Sequence, residues 1–281
     1  MAHIEANPEL CTQCGRCAKV CPAYVLVQKS KGTEILVQHP QRCIHCGHCM
    51  DVCPVNAMIH SAFPPSQVHK VQTDLLPSPE SLMELIRSRR SNRTLTDKPI
   101  EEKNLQQILE AARYAPTAEN SRKVKLHLIT DSHKIYLVEK SVLDFFMRLA
   151  KILLFPPVKF ILKPFLKDLY SSAPELLAMN KLFKEGKRPV TCQATALLFF
   201  TAPKDYRFGY QDCNLAYQNA SLMAECLGIS QIYMGFVQVA FQMMGRKKVA
   251  RLLGMEETQR VFAIMGLGIP AFRYPKYVER K

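Results

Sequence analysis

The sequence predicts an α+β protein in two parts, a small cysteine-rich module and a larger layered domain in which helices alternate with buried strands. The chain has 281 residues and 11 cysteines, eight of which lie before residue 54. A proline-containing stretch over residues 63–79 lacks apolar periodicity, which is typical of a linker. From residue 80 onward, apolar residues first follow helical spacing and later fill short continuous runs typical of buried strands. We therefore predict domains at 1–62 and 80–281.

The composition favours a folded protein over a disordered one. Hydrophobic residues make up 48% of the chain and charged residues 22%, which provides apolar surface for two cores. The N-terminus is polar, and no apolar run reaches the roughly 18 residues of a spanning helix. We therefore expect a cytoplasmic protein without a secretory signal. In the reducing cytoplasm, clustered cysteines indicate metal binding rather than disulfides.

The chain is basic, with a formal net charge of +14. Most lysines and arginines follow residue 85, so the charge belongs mainly to the second domain. Such a surface suits an acidic protein partner, an anionic cofactor or a membrane surface. Because no recognised nucleic-acid-binding motif is present, we expect no nucleic-acid partner.

The most specific motif is a pair of cysteine runs, each spaced C-x2-C-x2-C-x3-C and followed by proline. The second run repeats the first at an offset of 32 residues. This part resembles two-cluster bacterial ferredoxins, in which three cysteines of one run share a [4Fe–4S] cluster with the last cysteine of the other. The predicted ligands are Cys11, Cys14, Cys17 and Cys53 for a first cluster, and Cys43, Cys46, Cys49 and Cys21 for a second.

Zinc is the alternative occupant of these cysteines. Zinc ribbons use separate C-x2-C pairs rather than runs of four with a trailing Cys-Pro, so the spacing favours iron–sulfur clusters. Between the runs, residues 25–38 alternate around Lys31-Gly32 and predict a β-hairpin. His45 and His48 lie between cluster cysteines and are candidates for hydrogen bonds to sulfur that tune a reduction potential.

The second part predicts helices at 81–91, 100–115 and 211–229, and strands at 124–130, 195–202 and 261–268. Ser81 and Glu84 have the spacing of a capping box at the start of the first helix, and Gly228 closes the long one. Neither a G-x-G-x-x-G loop after a strand nor a Walker loop is present. The sequence thus gives no local sign of a tightly held nicotinamide.

Four motifs in this part resemble, in order, those of the nitroreductase family of flavoproteins. They are Arg89-Arg90-Ser91-Asn92-Arg93 with Lys98-Pro99-Ile100, the stretch from Ala115 to Ser121, the helix ending at Gly228-Ile229 followed by Met234-Gly235, and Gly268-Ile269-Pro270 with a basic tail. The resemblance covers residues 80–281 and implies a three-layer α/β/α domain with a central, mostly antiparallel sheet. It departs at Arg122-Lys123-Val124, where the family usually has Gln-Pro-Trp.

The resemblance also implies a homodimer with FMN bound at the subunit interface. Residues expected to hold the phosphate and ribityl chain are Arg89, Arg90, Ser91 and Arg93, completed by either Arg273 or Lys276; guanidinium groups suit phosphate. Residues expected near the isoalloxazine are Pro116, Thr117, Ala118 and Asn120 from the other subunit, and the backbone of Met234 and Gly235. A solvated helix end, where basic residues meet the helix dipole, is the alternative explanation of the arginine cluster.

The two parts together predict an FMN-dependent, nitroreductase-like oxidoreductase coupled to a donor such as ferredoxin or NAD(P)H. Electrons would pass through the two clusters to FMN and on to a nitroaromatic, a quinone or an activated alkene. We expect no catalytic side chain, because the flavin carries the chemistry. The alternative is an electron-relay module of a larger redox complex, without a small-molecule substrate of its own.

Residues 145–190 predict a lid or arm inserted in the second domain. Within it, residues 145–170 interleave Lys and Arg with Phe, Leu and Ile, and prolines interrupt the pattern at 156, 157 and 164. An arm packed on a partner subunit accounts for this composition. So does a helix that docks on a membrane surface or another protein.

Overall fold

The computed structural model describes residues 3–171 and 173–280. Its contacts divide the chain into a first unit, Met1–Leu76 with Ala118–Ser121, and a second unit, Pro77–Thr117 with Arg122–Lys281. The boundary at Leu76 falls within residues 63–79. Two short 3-10 helices, Pro65–Gln67 and Thr73–Leu75, occupy part of that stretch.

The first unit consists of two small antiparallel sheets and two short helices. Strand β1 (Ile4–Ala6) pairs with β4 (Met58–His60), and β2 (Leu26–Val27) pairs with β3 (Leu36–Val37). The second pair confirms the predicted hairpin. Helices α1 (Arg16–Val20) and α2 (His48–Asp51) each lie inside a cysteine run.

The second unit is built around a four-stranded sheet. Its strands are β5 (Lys125–Ile129), β6 (Ala196–Pro203), β7 (Ser230–Tyr233) and β8 (Gln259–Gly268). The order is β5-β6-β8-β7, and each neighbouring pair is antiparallel. The three predicted strands are confirmed, and β7 is an addition. Buried side chains fill both faces of β6 and β8, which explains their continuous apolar sequences.

Nine helices of the second unit lie within the described residues. They are α3 (Pro79–Ser88), α4 (Glu102–Arg113), α5 (Ser132–Leu153), α6 (Pro156–Leu162), α7 (Lys167–Ser171), α8 (Ala173–Lys184), α9 (Gly209–Cys226), α10 (Gly235–Met243) and α11 (Arg246–Leu253). None of the helices in these ranges is long and apolar enough to cross a membrane.

Alternate residues of β6 face two different cores. Leu197 and Phe199 belong to a cluster that includes residues of α5, α10 and α11, whereas Leu198 and Phe200 belong to a cluster that includes residues of α4 and α9. Since successive side chains of a strand point to opposite faces, helices cover both faces of the sheet. This arrangement confirms the expected three-layer α/β/α domain.

The first helix of this unit begins earlier than its sequence pattern predicts. Ser78, not Ser81, is the N-cap: its hydroxyl oxygen accepts the Ser81 N–H at 3.1 Å. Pro79 follows as the first helical residue, where its missing N–H has no consequence. The predicted capping box is therefore wrong, because Ser81 lies inside the helix that Ser78 starts.

Candidate functional site

The two cysteine runs share one loop geometry. Gln13 and Gly15 have φ of 52° and 74° in the first loop, and His45 and Gly47 have φ of 51° and 79° in the second. Each glycine directly precedes a helix, α1 or α2, and its left-handed conformation is one that side chains disfavour. Residues that lie 32 positions apart in the two loops therefore share a left-handed backbone conformation, at the same offset as the cysteines.

The thiols of the first unit fall into two groups. Cys17 has Cys11 and Cys53 as thiol neighbours, whereas Cys49 has Cys46 and Cys43. Burial and then these neighbours raise the pKa of Cys49 to about 11, and burial also raises the pKa of Cys17. Grouped thiolates withdrawn from water need a cation to remain ionised. Their chemistry and grouping fit two iron–sulfur clusters.

Backbone donors support the last cysteine of each run in the same way. The Val25 N–H donates to Cys21 Sγ at 3.2 Å, and the Ala57 N–H donates to Cys53 Sγ at 3.2 Å. Amide donors directed at sulfur stabilise the negative charge of a ligating thiolate. The two bonds again lie 32 residues apart. The two halves of the module therefore repeat the same structure at Cys21 and Cys53.

His60, which no sequence motif marks, contacts one of the cluster cysteines. It ends β4, is only 3% exposed, and has its Nε2 3.4 Å from Cys43 Sγ. Its Nδ1 accepts the Ala62 N–H at 3.1 Å. Burial lowers the pKa of His60, and the nearby His45 lowers it further. The neutral ring is therefore the favoured form.

The two histidines expected to tune a cluster lie on the surface. His45 is exposed and contributes its backbone N–H, which donates to Cys43 Sγ at 3.4 Å. His48 is exposed at the first position of α2. A ring nitrogen of His45 nevertheless lies within 4.8 Å of both Cys43 Sγ and a ring nitrogen of His60. His60 itself reaches Cys43 from the paired strand β4 rather than from the cysteine loop.

The short segment Ala118–Ser121 belongs to the first unit. The Asn120 side-chain nitrogen donates to the carbonyls of Ile44 and His45 at 3.0 and 2.7 Å. Both carbonyls lie in the loop between Cys43 and Cys46. The amide nitrogen of Asn120 is thus used on the cysteine loop, which differs from the flavin contact that the family resemblance implied.

In the second unit, three guanidinium groups lie close enough to one carboxylate to lower its pKa. Arg89, Arg90 and Arg273 each lower the pKa of Glu225, but burial raises it more. A cavity of about 130 Å³ beside them is lined in part by Arg90, Glu225 and Arg273. Three cations and one anion leave an excess of two positive charges, which fits a phosphate group. The donor set therefore fits the phosphate end of a flavin nucleotide.

Side-chain hydrogen bonds of Asn92 bring the distant parts of this cluster together. Its side-chain nitrogen donates to Ser230 Oγ at 3.2 Å and to the Phe272 carbonyl at 3.1 Å. Its side-chain oxygen accepts the Thr94 N–H at 2.9 Å. Asn92 is 2% exposed. In the sequence Asn92 is only one member of the arginine motif. In the structure it connects the segment after α3 to the tail that carries Arg273.

The other residues of the arginine motif have distinct surroundings. Arg90 Nη1 donates to the carbonyls of Arg87 and Arg89 at 2.6 and 2.9 Å, so part of its guanidinium closes the end of α3. Ser91 forms a parallel bridge with Gln231 of β7. Arg93 is exposed and lowers the pKa of Cys192, although burial raises that pKa more.

The remaining expected flavin residues lie at helix ends and in loops. Met234 is 4% exposed and packs in the core, so only its backbone can face a ligand, and Gly235 begins α10. Thr117 Oγ1 accepts the Arg122 N–H at 3.0 Å, next to the exposed Pro116. Lys276 is exposed in the tail, whereas Arg273 of the same tail is among the main groups that lower the pKa of Glu225.

The predicted arm presents an apolar surface. Phe155, Phe160, Ile161 and Phe165 are 58%, 86%, 62% and 82% exposed, and Lys159 and Lys163 lie among them. A cavity of about 340 Å³ in the same unit is lined mainly by apolar residues of α5, α8 and α10.

Comparison with known proteins decides the family. The model of the nitroreductase family matches residues 86–269, more than half of the chain. The chain belongs to the nitroreductase family. A model of the 4Fe-4S dicluster domain matches residues 10–57. Membership makes this an FMN-dependent oxidoreductase, and the dicluster domain gives it two [4Fe–4S] clusters, as expected from the sequence.

Two kinds of relative illustrate the family resemblance, a curated protein and solved structures. An Archaeoglobus fulgidus protein, provisionally named NADH dehydrogenase/NAD(P)H nitroreductase, is 25% identical over 195 residues, or 68% of this chain and 86% of its own. Among solved structures, an FMN-bound nitroreductase from Bacteroides fragilis aligns with a TM-score of 0.53 at 20% identity, covering 70% of this chain and 94% of that one. A second, from Desulfitobacterium hafniense, also gives 0.53 at 20% identity, covering 70% and 93%. These structures support the fold of the second unit.

Proposed function

We propose that this nitroreductase takes electrons singly from a low-potential donor through its two clusters and delivers them in pairs, through FMN, to a nitroaromatic, a quinone or an activated alkene. The observation that carries the proposal is the presence of two cofactor donor sets in one chain. One is the grouped thiols of the first unit, and the other is the arginines around Glu225.

The proposed cluster ligands follow the crossed pattern. Cys11, Cys14, Cys17 and Cys53 hold the first cluster, and Cys43, Cys46, Cys49 and Cys21 hold the second. The placement of Cys53 beside Cys17, rather than with Cys49 of its own run, supports the crossing. The matching N–H···S bonds to Cys21 and Cys53 support equivalent roles for these two residues.

For the flavin, we propose that Arg89, Arg90 and Arg273 bind the phosphate. Their common neighbour Glu225 supports the choice of Arg273 over Lys276. Ser91 and Arg93 follow Arg90 along the chain and are proposed for the ribityl chain. Gly235 offers its backbone near the ring. A homodimer, in which Pro116, Thr117 and Ala118 face the partner's flavin, completes the proposal.

FMN supplies the conversion between one-electron and two-electron transfer when it is bound. The chain's own groups bind and orient it. A nitro group or a quinone takes up two electrons and two protons in its first reduction, so protons must come from water or a side chain. Tyr217 is held in one orientation by its hydrogen bond to Gln231, and burial raises its pKa, so its hydroxyl stays protonated at neutral pH. We assign this tyrosine a structural role beside the arginines.

An anaerobic reductive titration of the purified holoprotein tests the direction of electron flow. Flavin bleaching near 450 nm would be followed with reduced ferredoxin and, separately, with NADH and NADPH. We expect reduced ferredoxin to bleach the flavin and pyridine nucleotides to act slowly. The archaeal relative's name makes NAD(P)H the necessary comparison. Rapid direct reduction by NAD(P)H would make the clusters an exit path and contradict the proposed direction.

Catalytic turnover of a small-molecule acceptor distinguishes the proposed enzyme from the electron-relay alternative. The isolated protein, supplied with a reductant, should reduce a nitroaromatic, a quinone or an activated alkene catalytically. Flavin that is reduced through the clusters but passes electrons to none of these acceptors would contradict the enzyme proposal. It would favour an electron-relay module with a protein acceptor.

A further inference from the structure

The 32-residue repeat of the first unit permits a position-by-position comparison of its two halves. The bonds Val25 N–H to Cys21 Sγ and Ala57 N–H to Cys53 Sγ have the same length, 3.2 Å, and set the register. Three residues after Val25 comes Gln28, and three after Ala57 comes His60. These two side chains are therefore counterparts, and they differ in chemistry.

Gln28 is committed to the backbone of its own half. Its side-chain nitrogen donates to the carbonyls of Gln13 and Thr33, both at 2.8 Å. A primary amide has two N–H donors, and both are used. Gln28 thus ties the first cysteine loop to the hairpin and has no donor left for a sulfur.

His60 makes a different bond at the equivalent place. Its Nδ1 accepts the Ala62 N–H at 3.1 Å, so in a neutral ring the proton must be on Nε2. That Nε2 lies 3.4 Å from Cys43 Sγ. The Phe63 ring, with its centroid 4.8 Å away, packs against the imidazole and restricts it.

We propose that His60 donates an N–H···S hydrogen bond to the Cys43 ligand and thereby gives the cluster on Cys43, Cys46, Cys49 and Cys21 a higher reduction potential than its partner. A reduced cluster carries one more negative charge, so a donor aimed at its sulfur stabilises the reduced form more than the oxidised form. The first cluster receives no such donor from Gln28. Electrons entering the module therefore settle on the second cluster.

This inference rests on the assigned clusters and is independent of the flavin and of the acceptor. His60 touches a cluster ligand and acts through it, so it is a positioning residue. Iron analysis showing about eight iron atoms per chain, as two [4Fe–4S] clusters require, must accompany each measurement. A protein without that iron content would fail the cluster assignment, which is a different failure from the one tested here.

The first experiment is an EPR-monitored redox titration of the holoprotein and its His60→Gln variant, which gives the second half the residue that the first half has. We expect one of the two cluster midpoints to fall while the other stays. The reduction constant of that cluster should change by about tenfold, or 59 mV for a one-electron couple. The matched control is His48→Gln, an exposed histidine beside the same cluster, which should move neither midpoint.

Two unchanged midpoints in His60→Gln, or two equal falls, would overturn the proposal. The converse variant, Gln28→His, should narrow the gap between the clusters by raising the lower midpoint. A gap that stays constant or widens in an iron-replete Gln28→His protein would likewise count against it.

A second measurement leaves His60 in place and holds even if His60→Gln fails to assemble its clusters. A ring nitrogen of His45 also lies within 4.8 Å of Cys43 Sγ, so the His45→Gln protein would be grown with histidine labelled with ¹⁵N in the ring only. Pulsed EPR of the reduced protein should then detect ¹⁵N hyperfine coupling at one cluster. A spectrum without ring-nitrogen coupling would reject the hydrogen bond.

Discussion

Each of the two units of this chain is stabilised in its own way. The buried core of the first unit consists of Ile4, Cys17, Val25, Leu26 and Met58, and much of its partly buried shell is cysteine. The second unit has two large cores, one on each face of its sheet. Small domains bury too little apolar surface to fold alone and commonly depend on metals. The first unit should therefore fold with its clusters, whereas the second should fold by burial of its side chains.

The largest expected effect is the loss of structure in the first unit when iron is removed. After anaerobic chelation, amides of residues 3–60 should exchange at least about 100-fold faster, because binding energy of the metal is folding energy there. Amides of β6 and β8 should keep their protection. Hydrogen exchange followed by mass spectrometry reports both units in one sample.

Cys17→Ser tests the same contrast without a chelator. It should remove at least the first cluster and expose the first unit to exchange. Cys226→Ser is the matched control, since Cys226 is exposed in the second unit and its change should leave the iron content intact. Protection of residues 3–60 that survives iron removal would show that the small core suffices.

The next effect concerns a buried carboxylate in the second unit. Glu139 is fully buried and accepts the Val190 N–H at 2.8 Å and the Thr191 hydroxyl at 2.7 Å. Glu139→Ala leaves both donors without a partner and should lower the free energy of unfolding by about 2–4 kcal/mol. Urea unfolding, followed by a probe of the second unit, measures this loss. A change below about 1 kcal/mol would mean that water replaces the carboxylate.

The pH dependence of Glu139 follows from its raised pKa, which burial causes. A raised folded-state pKa means that the folded protein favours the protonated acid. The stabilisation is fully present below the unfolded pKa, near 4.5, and is lost as pH rises through the higher folded value. Glu139→Gln cannot ionise, so its stability relative to wild type should improve as pH rises above about 4.5. A constant difference between pH 4 and 8 would contradict this assignment.

A smaller effect distinguishes the two candidate cations of the tail. Arg273→Ala should weaken FMN binding by about 10- to 100-fold, the worth of a charge-assisted hydrogen bond to phosphate. Riboflavin, which lacks the phosphate, should bind both proteins equally. Lys276→Ala is the control in the same tail and should change FMN affinity less than about twofold. Fluorescence titration of the flavin-free proteins gives each of these affinities.

The opposite result would change the role assigned to the arginines around Glu225. If Lys276→Ala weakens FMN binding and Arg273→Ala does not, then the arginines around Glu225 form a structural ion cluster. Equal loss of FMN and riboflavin in Arg273→Ala would place this side chain at the ring or in the fold rather than at the phosphate.

The sequence predicted some of these features and missed others for physical reasons. The dicluster module could be recognised because each cysteine run spans eleven residues, so local spacing alone carries the pattern. Strands β6 and β8 were readable because burial on both faces demands continuous apolar residues. Strand β7, Ser230–Tyr233, is four residues long and mixes polar and apolar side chains, since only Gln231 and Ile232 are buried. Such a strand carries no periodic signal.

The side-chain contacts that define the sites were the least predictable. Arg89 and Arg273 are far apart in the chain and meet at Glu225 because Asn92 bonds to Phe272 and Ser230. No local pattern encodes that meeting. His60 reaches Cys43 only after β1 and β4 pair. By contrast, Arg89 is the C-cap of α3, so its place at a helix end follows from a local pattern.

The smallest expected effect is on the surface of the second unit, where Lys125 Nζ lies 3.0 Å from Glu256 Oε1. The hydrogen bond from Lys125 lowers the pKa of Glu256. Both side chains are more than half exposed, so solvent and salt screen the attraction. Lys125→Met should therefore shift the Tm of the second unit by no more than about 1 °C.

The same variant at high salt supplies the control, because 1 M NaCl should remove whatever difference remains. Differential scanning calorimetry at pH 7 measures both. A shift of several degrees that salt abolishes would show that surface charge, and not only the two cores, holds this unit together. A shift that salt leaves unchanged would instead indicate lost packing of the lysine stem against β5.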